Sequence, residues 1–114
     1  MWDRCTEAAF GLGALDAGSF IYEKMVSPDA AASLQRLGAV GDVLGHCFDA
    51  SGHFLHSEWE ERLVSIPVEL LLRVPRRVLI ACGAGKARAI EAALKAGVAT
   101  ILATDQATAR LIPH

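Results

Sequence analysis

Two kinds of hydrophobic spacing share the chain, and they separate most clearly in its second half. Val78-Leu79-Ile80-Ala81-Cys82 is an unbroken apolar run of strand length, ended by Gly83-Ala84-Gly85. From Lys86 to Ala96 the spacing becomes helical, with Ile90, Ala93, Leu94 and Gly97 falling near one face. Ala, Lys, Arg, Glu and Leu fill this stretch, all strong helix formers, and Gly97 stops it. Glu91 and Lys95 stand four apart in the favourable order and belong on the exposed side. Val98 to Ala103 is a second strand. Thr104 or Asp105 then offers a side-chain oxygen to cap a short helix from Gln106 to Leu111. Strand, helix, strand, helix in such short order predicts a crossover unit in a parallel sheet covered by helices.

The first half is less regular. Glu7 to Phe10 reads as the end of a strand running into Gly11-Leu12-Gly13. Ser27-Pro28-Asp29 is a helix start: serine caps, proline fits the first helical position, and aspartate suits the positive helix end. That helix is expected to run to Leu37 and stop at Gly38. Val40 to Phe48 is expected to be extended, interrupted by Gly41 and Gly45. Asp49-Ala50-Ser51-Gly52 then signals a turn, across which Phe54 to Ser57 pairs back. Pro67 to Leu72 reads as a short apolar helix that Pro75 helps terminate. The fold class is therefore α/β, an open and mostly parallel sheet with flanking helices. Two or three strongly signalled strands are few for such a sheet, and a strand-like run opens the chain almost at once. Residues 1–114 are accordingly expected to be the C-terminal portion of a larger effector-type domain, with an apolar sheet edge or face left exposed.

Composition narrows the function classes. Hydrophobic residues make up 53% and charged residues 21%, too apolar for disorder and enough to fill a core between two layers. A formal charge of -2 leaves no electrostatic footprint for nucleic acid over the whole chain. Arg73, Arg76 and Arg77, around Pro75, are expected to form a solvated loop face. The apolar runs break well before the roughly 20 residues that span a bilayer, and no apolar stretch of the secretory kind opens the chain. Cys5, Cys47 and Cys82 are odd in number and sit beside apolar neighbours, so they read as free core thiols in a reducing, cytoplasmic setting.

Several residues are candidates for chemistry. Gly83-Ala84-Gly85-Lys86 lies between a strand and a helix, where small residues let the backbone approach an anion and Lys86 adds a mobile positive charge. It is no P-loop, because Ile80 stands where that motif needs glycine and Ala87 replaces Ser or Thr. The segment is either a phosphate or sugar-phosphate cradle or a tight turn with an exposed lysine. Gly11 and Gly13 follow a strand in the same way, as a pocket wall or as a turn that needs positive φ. In an open parallel sheet both loops would lie at carboxyl ends of strands, where ligands gather. Asp42 sits in the apolar stretch Ala39 to Leu44, and its carboxylate must receive hydrogen bonds from backbone, cation or ligand. Asp105 is a helix cap or a site residue. His46, Cys47, His53 and His56 match no standard zinc spacing, so neither metal nor cofactor is expected. Ser51, His53 and Asp49 are crowded into one turn and make no catalytic triad, and Glu58, Glu60 and Glu61 read as a solvated charge run.

Taken together, Gly11-Leu12-Gly13-Ala14-Leu15, Gly38 through Gly45 leading to Phe48-Asp49 and Gly52, Gly83 through Lys86 with Ala89-Ile90 and Ala93-Leu94, and Thr104-Asp105 with Thr108-Ala109 form a recognisable series. In order and spacing it resembles the sugar-binding effector domain of SorC/DeoR-type bacterial transcription regulators, from about Gly11 to Ile112. That family is distantly similar to glucosamine-6-phosphate deaminases and ribose-5-phosphate isomerases. The resemblance implies a sugar or phosphorylated sugar bound without turnover, dimeric or tetrameric assembly, and DNA contact through an N-terminal helix-turn-helix. It implies that Lys86 meets the effector's phosphate or an acidic oxygen, that Asp42 lies where hydroxyls are held, and that Gly11 to Gly13 line the pocket. The family's DNA-binding domain and early glycine-rich phosphate loop have no counterpart here, Cys82-Gly83-Ala84-Gly85 departs from its paired glycines, and Thr6 stands near a position often acidic. The main expectation is a non-catalytic sensor. The alternative, a fragment of a sugar-phosphate isomerase or deaminase, would need a second acid–base group beside Asp42.

Overall fold

The computed structural model describes residues 2–15, 27–56 and 63–113. After a 3-10 turn at Trp2–Arg4, the chain forms β1 (Glu7–Phe10), β2 (Gly13–Ala14), α1 (Pro28–Arg36), β3 (Ala39–Val43) and β4 (His46–Asp49). It continues through α2 (Val68–Leu71), β5 (Arg76–Ile80), α3 (Ala87–Ala96), β6 (Ile101–Ala103) and α4 (Gln106–Ala109). The strands make two sheets, a parallel one in the order β1-β5-β6 and an antiparallel one in the order β2-β3-β4.

The crossover unit forms as the spacing predicts. β5 and β6 are parallel, with Val78 opposite Ile101 and Leu79 opposite Leu102. Helix α3 joins them, closed by Gly97 at φ 77° and flanked by an ion pair of 3.2 Å between Lys95 and Glu91. Its buried face is small: Ala89, Ile90, Ala92 and Ala93. That face lets the helix pack closely on β3, where a Cβ added to Gly41 would lie 3.0 Å from the Ala89 methyl. Phe10 and Leu79 carry one face of the parallel sheet into the main core, beside Val43, Phe48, Leu71 and Ile90. The opposite face is not covered: Ile80 is 56% and Ile101 41% exposed, with Ala9 and Ala103 exposed between them. The expected apolar face is thus present, and among the described residues no helix covers it.

Helix α1 begins as read, with Ser27 Oγ accepting the Ala30 N–H at 3.2 Å and Pro28 in the first position. Its Leu34 is fully buried in a second cluster with Leu15, Ala39 and Cys47.

Four expectations need correction. Val40 to Phe48 is not one extended run but a hairpin turned by Leu44 (φ 53°) and Gly45 (φ 87°). Two positive φ values define the tight turn whose twist matches paired strands. Leucine is a poor choice there, which hides the turn from any reading of composition. Cys47 is buried, but Cys5 and Cys82 are exposed, so only one of three thiols is a core thiol. The short C-terminal helix ends at Ala109, not Leu111. Arg77 is not a free loop charge. Its guanidinium donates to the carbonyls of Val74 (2.6 Å), Val98 (3.0 Å), Leu72 (3.1 Å) and Gly97 (3.2 Å). The turn at Asp49 is as expected: Asp49 Oδ1 accepts the N–H groups of Ser51 and His53, and Phe54 bridges back to Phe48. Ser57 and the charge run Glu58, Glu60 and Glu61 lie outside the described residues.

Arg77 ties the chain entering β5 to the chain entering β6 by donating to carbonyls at both bends. Replacing it with Met keeps the stem and removes the donors. The expected loss is about 2–3 kcal/mol of stability, since charged hydrogen bonds contribute roughly 1.5–3 kcal/mol each and those here are partly solvated. Urea denaturation of the two proteins measures it.

Candidate functional site

Because β1, β5 and β6 run parallel, their carboxyl ends meet at one end of the sheet. The segments leaving them are Gly11 to Gly13, Cys82 to Lys86, and Thr104 with Asp105. A cavity of about 510 Å³ opens there, lined by Ile80, Ala81, Cys82, Lys86, Ala103, Thr104 and Asp105. A second hollow of about 250 Å³ lies across the 3-10 turn Ala84–Lys86, between α3 and the antiparallel sheet, and includes Gly85 and Arg88. The two glycine loops do lie at strand ends, as the open-sheet reading expects.

Gly83 has φ 119°, a conformation that glycine takes at no steric cost. Its N–H donates to Thr108 Oγ1 at 2.8 Å. Asp105 Oδ1 in turn accepts the Thr108 N–H at 3.1 Å, so the cap of α4 and the turn after β5 share one residue. Hydrogen bonds from the Thr108 side chain and backbone hold the Asp105 carboxyl below its ordinary value. Asp105 is therefore a helix cap that also lines the cavity. Gly85 and Gly11 answer no steric demand, since a Cβ at Gly85 would meet nothing and one at Gly11 would only touch the Ile80 carbonyl at 3.8 Å.

Gly13 is different. It does not have positive φ, against one of its two expected roles, and its need for glycine comes from across the sheet. Gly13 pairs with Asp42, and a Cβ there would overlap Asp42 Oδ1. Asp42 is 8% exposed, and its Oδ2 accepts the Gly45 N–H at 3.2 Å. Burial pushes the Asp42 carboxyl above its ordinary 3.8, while the Gly45 N–H, His46 and Lys86 pull it down. Local backbone thus supplies one partner, and a cation stands within electrostatic reach.

Lys86 is not the mobile charge read from its position. Its Nζ donates to the Leu12 carbonyl at 3.0 Å, across 74 positions of sequence, while the side chain also lines the larger cavity. The fold therefore brings Gly13, Asp42 and Lys86 to one place, with Gly83, Gly85 and Asp105 around the same strand ends. Two contributors escaped the sequence reading. His46, grouped there with unrelated histidines, is buried beside Asp42 and donates from Nε2 to the Ile66 carbonyl at 2.7 Å. Thr108 anchors Gly83, and the spacing Asp105-x-x-Thr108 was the available signal.

An open α/β sheet takes small ligands at the carboxyl ends of its parallel strands, and here a lysine and a desolvated carboxylate lie near that end. Among the described residues no helix is long and apolar enough to cross a membrane. Comparison with known proteins gives the class its family. Residues 1–112 match Sugar-bind, the sugar-binding domain family, and the chain belongs to it. It is 45% identical over 78 residues to the transcriptional regulator LsrR of Escherichia coli K12, covering 68% of this chain and 25% of that protein. It is 34% identical over 103 residues to the erythritol catabolism regulatory protein EryD of Brucella abortus, covering 90% of this chain and 32% of that one. A crystal structure of a transcriptional regulator from Streptococcus pneumoniae superposes with a TM-score of 0.88 at 25% identity, over 96% of this chain and 42% of the other. The chain thus spans about a quarter to a third of the length of these curated relatives.

The raised carboxyl of Asp42 sets a pH dependence. Stability contributed by its protonated form is fully present below the ordinary 3.8 and is lost as pH rises through the higher folded value. Asp42→Asn keeps an acceptor for the Gly45 N–H without the charge. It is expected to raise the thermal midpoint at neutral pH, with the gain shrinking toward acid. Thermal melts across that range check both the sign and the trend.

Proposed function

We propose that this chain is the effector-sensing part of a bacterial transcription regulator, binding a sugar or phosphorylated sugar at the carboxyl ends of β1, β5 and β6 without transforming it. The observation that carries this reading is the position of Lys86, which lines the larger cavity and lies within electrostatic reach of buried Asp42. Lys86 meets a phosphate or acidic oxygen, Asp42 lies on the hydroxyl side, and Gly11, Gly13, Gly83 and Gly85 keep the backbone close. Asp105 contributes from the cavity rim. The family and the regulators to which the chain is similar support the same reading. DNA contact belongs to another domain of the full regulator, which works in the cytoplasm as a homo-oligomer. Effector binding acts by favouring one arrangement of that oligomer over another, which requires differential affinity for the two.

The isomerase or deaminase alternative is the weaker one on geometry. It needs two acid–base groups facing one substrate, and the imidazole nearest Asp42 is buried with Nε2 bonded to the Ile66 carbonyl.

Replacing Lys86 with Ala removes a charge-assisted bond worth roughly 1.5–3 kcal/mol, so affinity for a phosphorylated sugar is expected to fall about ten- to more than a hundred-fold. The neutral parent sugar is affected much less, and salt weakens the wild-type phosphate complex more than the variant's. Calorimetric titration of both ligands with both proteins measures this. Equal phosphate-sugar affinities would remove Lys86 from the site.

A further inference from the structure

Among the described residues one buried side-chain oxygen has no hydrogen-bond partner, Thr104 Oγ1. Three other hydroxyls have partners. Thr100 Oγ1 bonds Arg77, Thr108 Oγ1 accepts from Gly83, and Ser27 Oγ caps α1. An orphaned buried hydroxyl costs roughly what a lost hydrogen bond costs, and a valine of the same shape would avoid it. Thr104 nevertheless sits at the end of β6, between Ala103 and the cap residue Asp105, as a wall of the 510 Å³ cavity. Since Oγ1 is shut off, the surface that Thr104 gives the cavity is not its hydroxyl. A turn about χ1 into another staggered well is the motion by which the hydroxyl would reach the cavity.

The charges around the cavity are not symmetric. Lys86 stands on the wall that follows β5, and Asp105, whose Oδ1 caps α4, stands on the wall that follows β6, next to Thr104. An anionic group is drawn to the first side and repelled from the second. The Asp105 side admits an uncharged polar group, and Ile80, Ala81 and Ala103 supply apolar wall between the two. A hydroxyl matches Thr104 best, because each can donate to or accept from the other.

We infer that Thr104 is a specificity-determining ligand contact, its hydroxyl bonding a hydroxyl at the uncharged end of a sugar phosphate whose charged end meets Lys86. This deepens the proposed effector site and rests on it. A ligand lacking that hydroxyl leaves Thr104 orphaned, which is how a buried polar group rejects an analogue.

The test is calorimetric titration of the 114-residue chain, as wild type, Thr104→Val, Thr104→Ser and Lys86→Ala. The probes are ribose 5-phosphate, erythritol 4-phosphate, glucitol 6-phosphate and inorganic phosphate. For whichever sugar phosphate binds wild type best, Thr104→Val is expected to weaken binding about tenfold, and Thr104→Ser, which keeps the hydroxyl, to stay within about threefold of wild type. Inorganic phosphate, with no hydroxylated end, should respond to Lys86→Ala and not to Thr104→Val. The thermal midpoint of Thr104→Val should equal or exceed that of wild type, which separates ligand contact from structural damage. Sugar-phosphate affinity unchanged in Thr104→Val but lost in Lys86→Ala would overturn the role of Thr104 and leave the effector site standing. Equal losses in the Val and Ser variants would also overturn it, by assigning the effect to packing of the methyl. Wild type binding none of the three sugar phosphates would overturn both readings together.

Discussion

A carboxylate taken out of water inside an apolar hairpin dictates much of what surrounds it. Asp42 lies on β3 with almost no exposure, and every neighbour answers to that. The turn after β3 is closed tightly enough for the Gly45 N–H to reach Oδ2, at the cost of holding Leu44 in a conformation that few L residues accept. The residue opposite must be glycine, because the side chain of Asp42 occupies the space where a Cβ of Gly13 would stand. Gly41, beside it, must also be small, since a Cβ there would meet the Gly13 carbonyl at 2.8 Å. Lys86 supplies positive charge within reach of that carboxylate, though burial still outweighs it and the Gly45 N–H.

The same neighbourhood joins the two sheets. β1 belongs to the parallel sheet and β2 to the antiparallel one, with only Gly11 and Leu12 between them. Lys86 leaves β5's side of the molecule and bonds the Leu12 carbonyl in that link. The bond takes one of the three N–H donors of the ammonium and fixes where the other two can point.

What could be read from sequence follows the range of the interactions. The βαβ unit was legible because its apolar runs, helix formers and Gly97 are all local signals. The cap at Asp105 and the helix start at Ser27 were legible for the same reason. Asp42 stood out as a carboxylate in an apolar stretch, yet its glycine neighbour had a different cause from the one expected, because that cause lies on another strand. The hairpin at Leu44-Gly45 was missed, since an apolar turn looks like a continuing strand. Arg77 was misread because its carbonyl partners come from bends on both sides of α3, and no spacing marks a carbonyl. Lys86 was legible as a lysine opening a helix after a strand, but its partner Leu12, 74 positions away, was not.

Helix α3 is held at both ends by contacts with little slack. At its start, Lys86 is fastened to Leu12. At its finish, the turn closed by Gly52 presses so near that a Cβ there would stand 2.6 Å from the Ala96 nitrogen and 2.8 Å from the Lys95 carbonyl carbon. Ten helical residues separate these anchors, about 15 Å of hydrogen-bonded backbone. A rod of that length does not compress. The helix thus sets the distance between the lysine at its start and the Asp49 to Gly52 turn at its finish, as a strut does between two fixed plates.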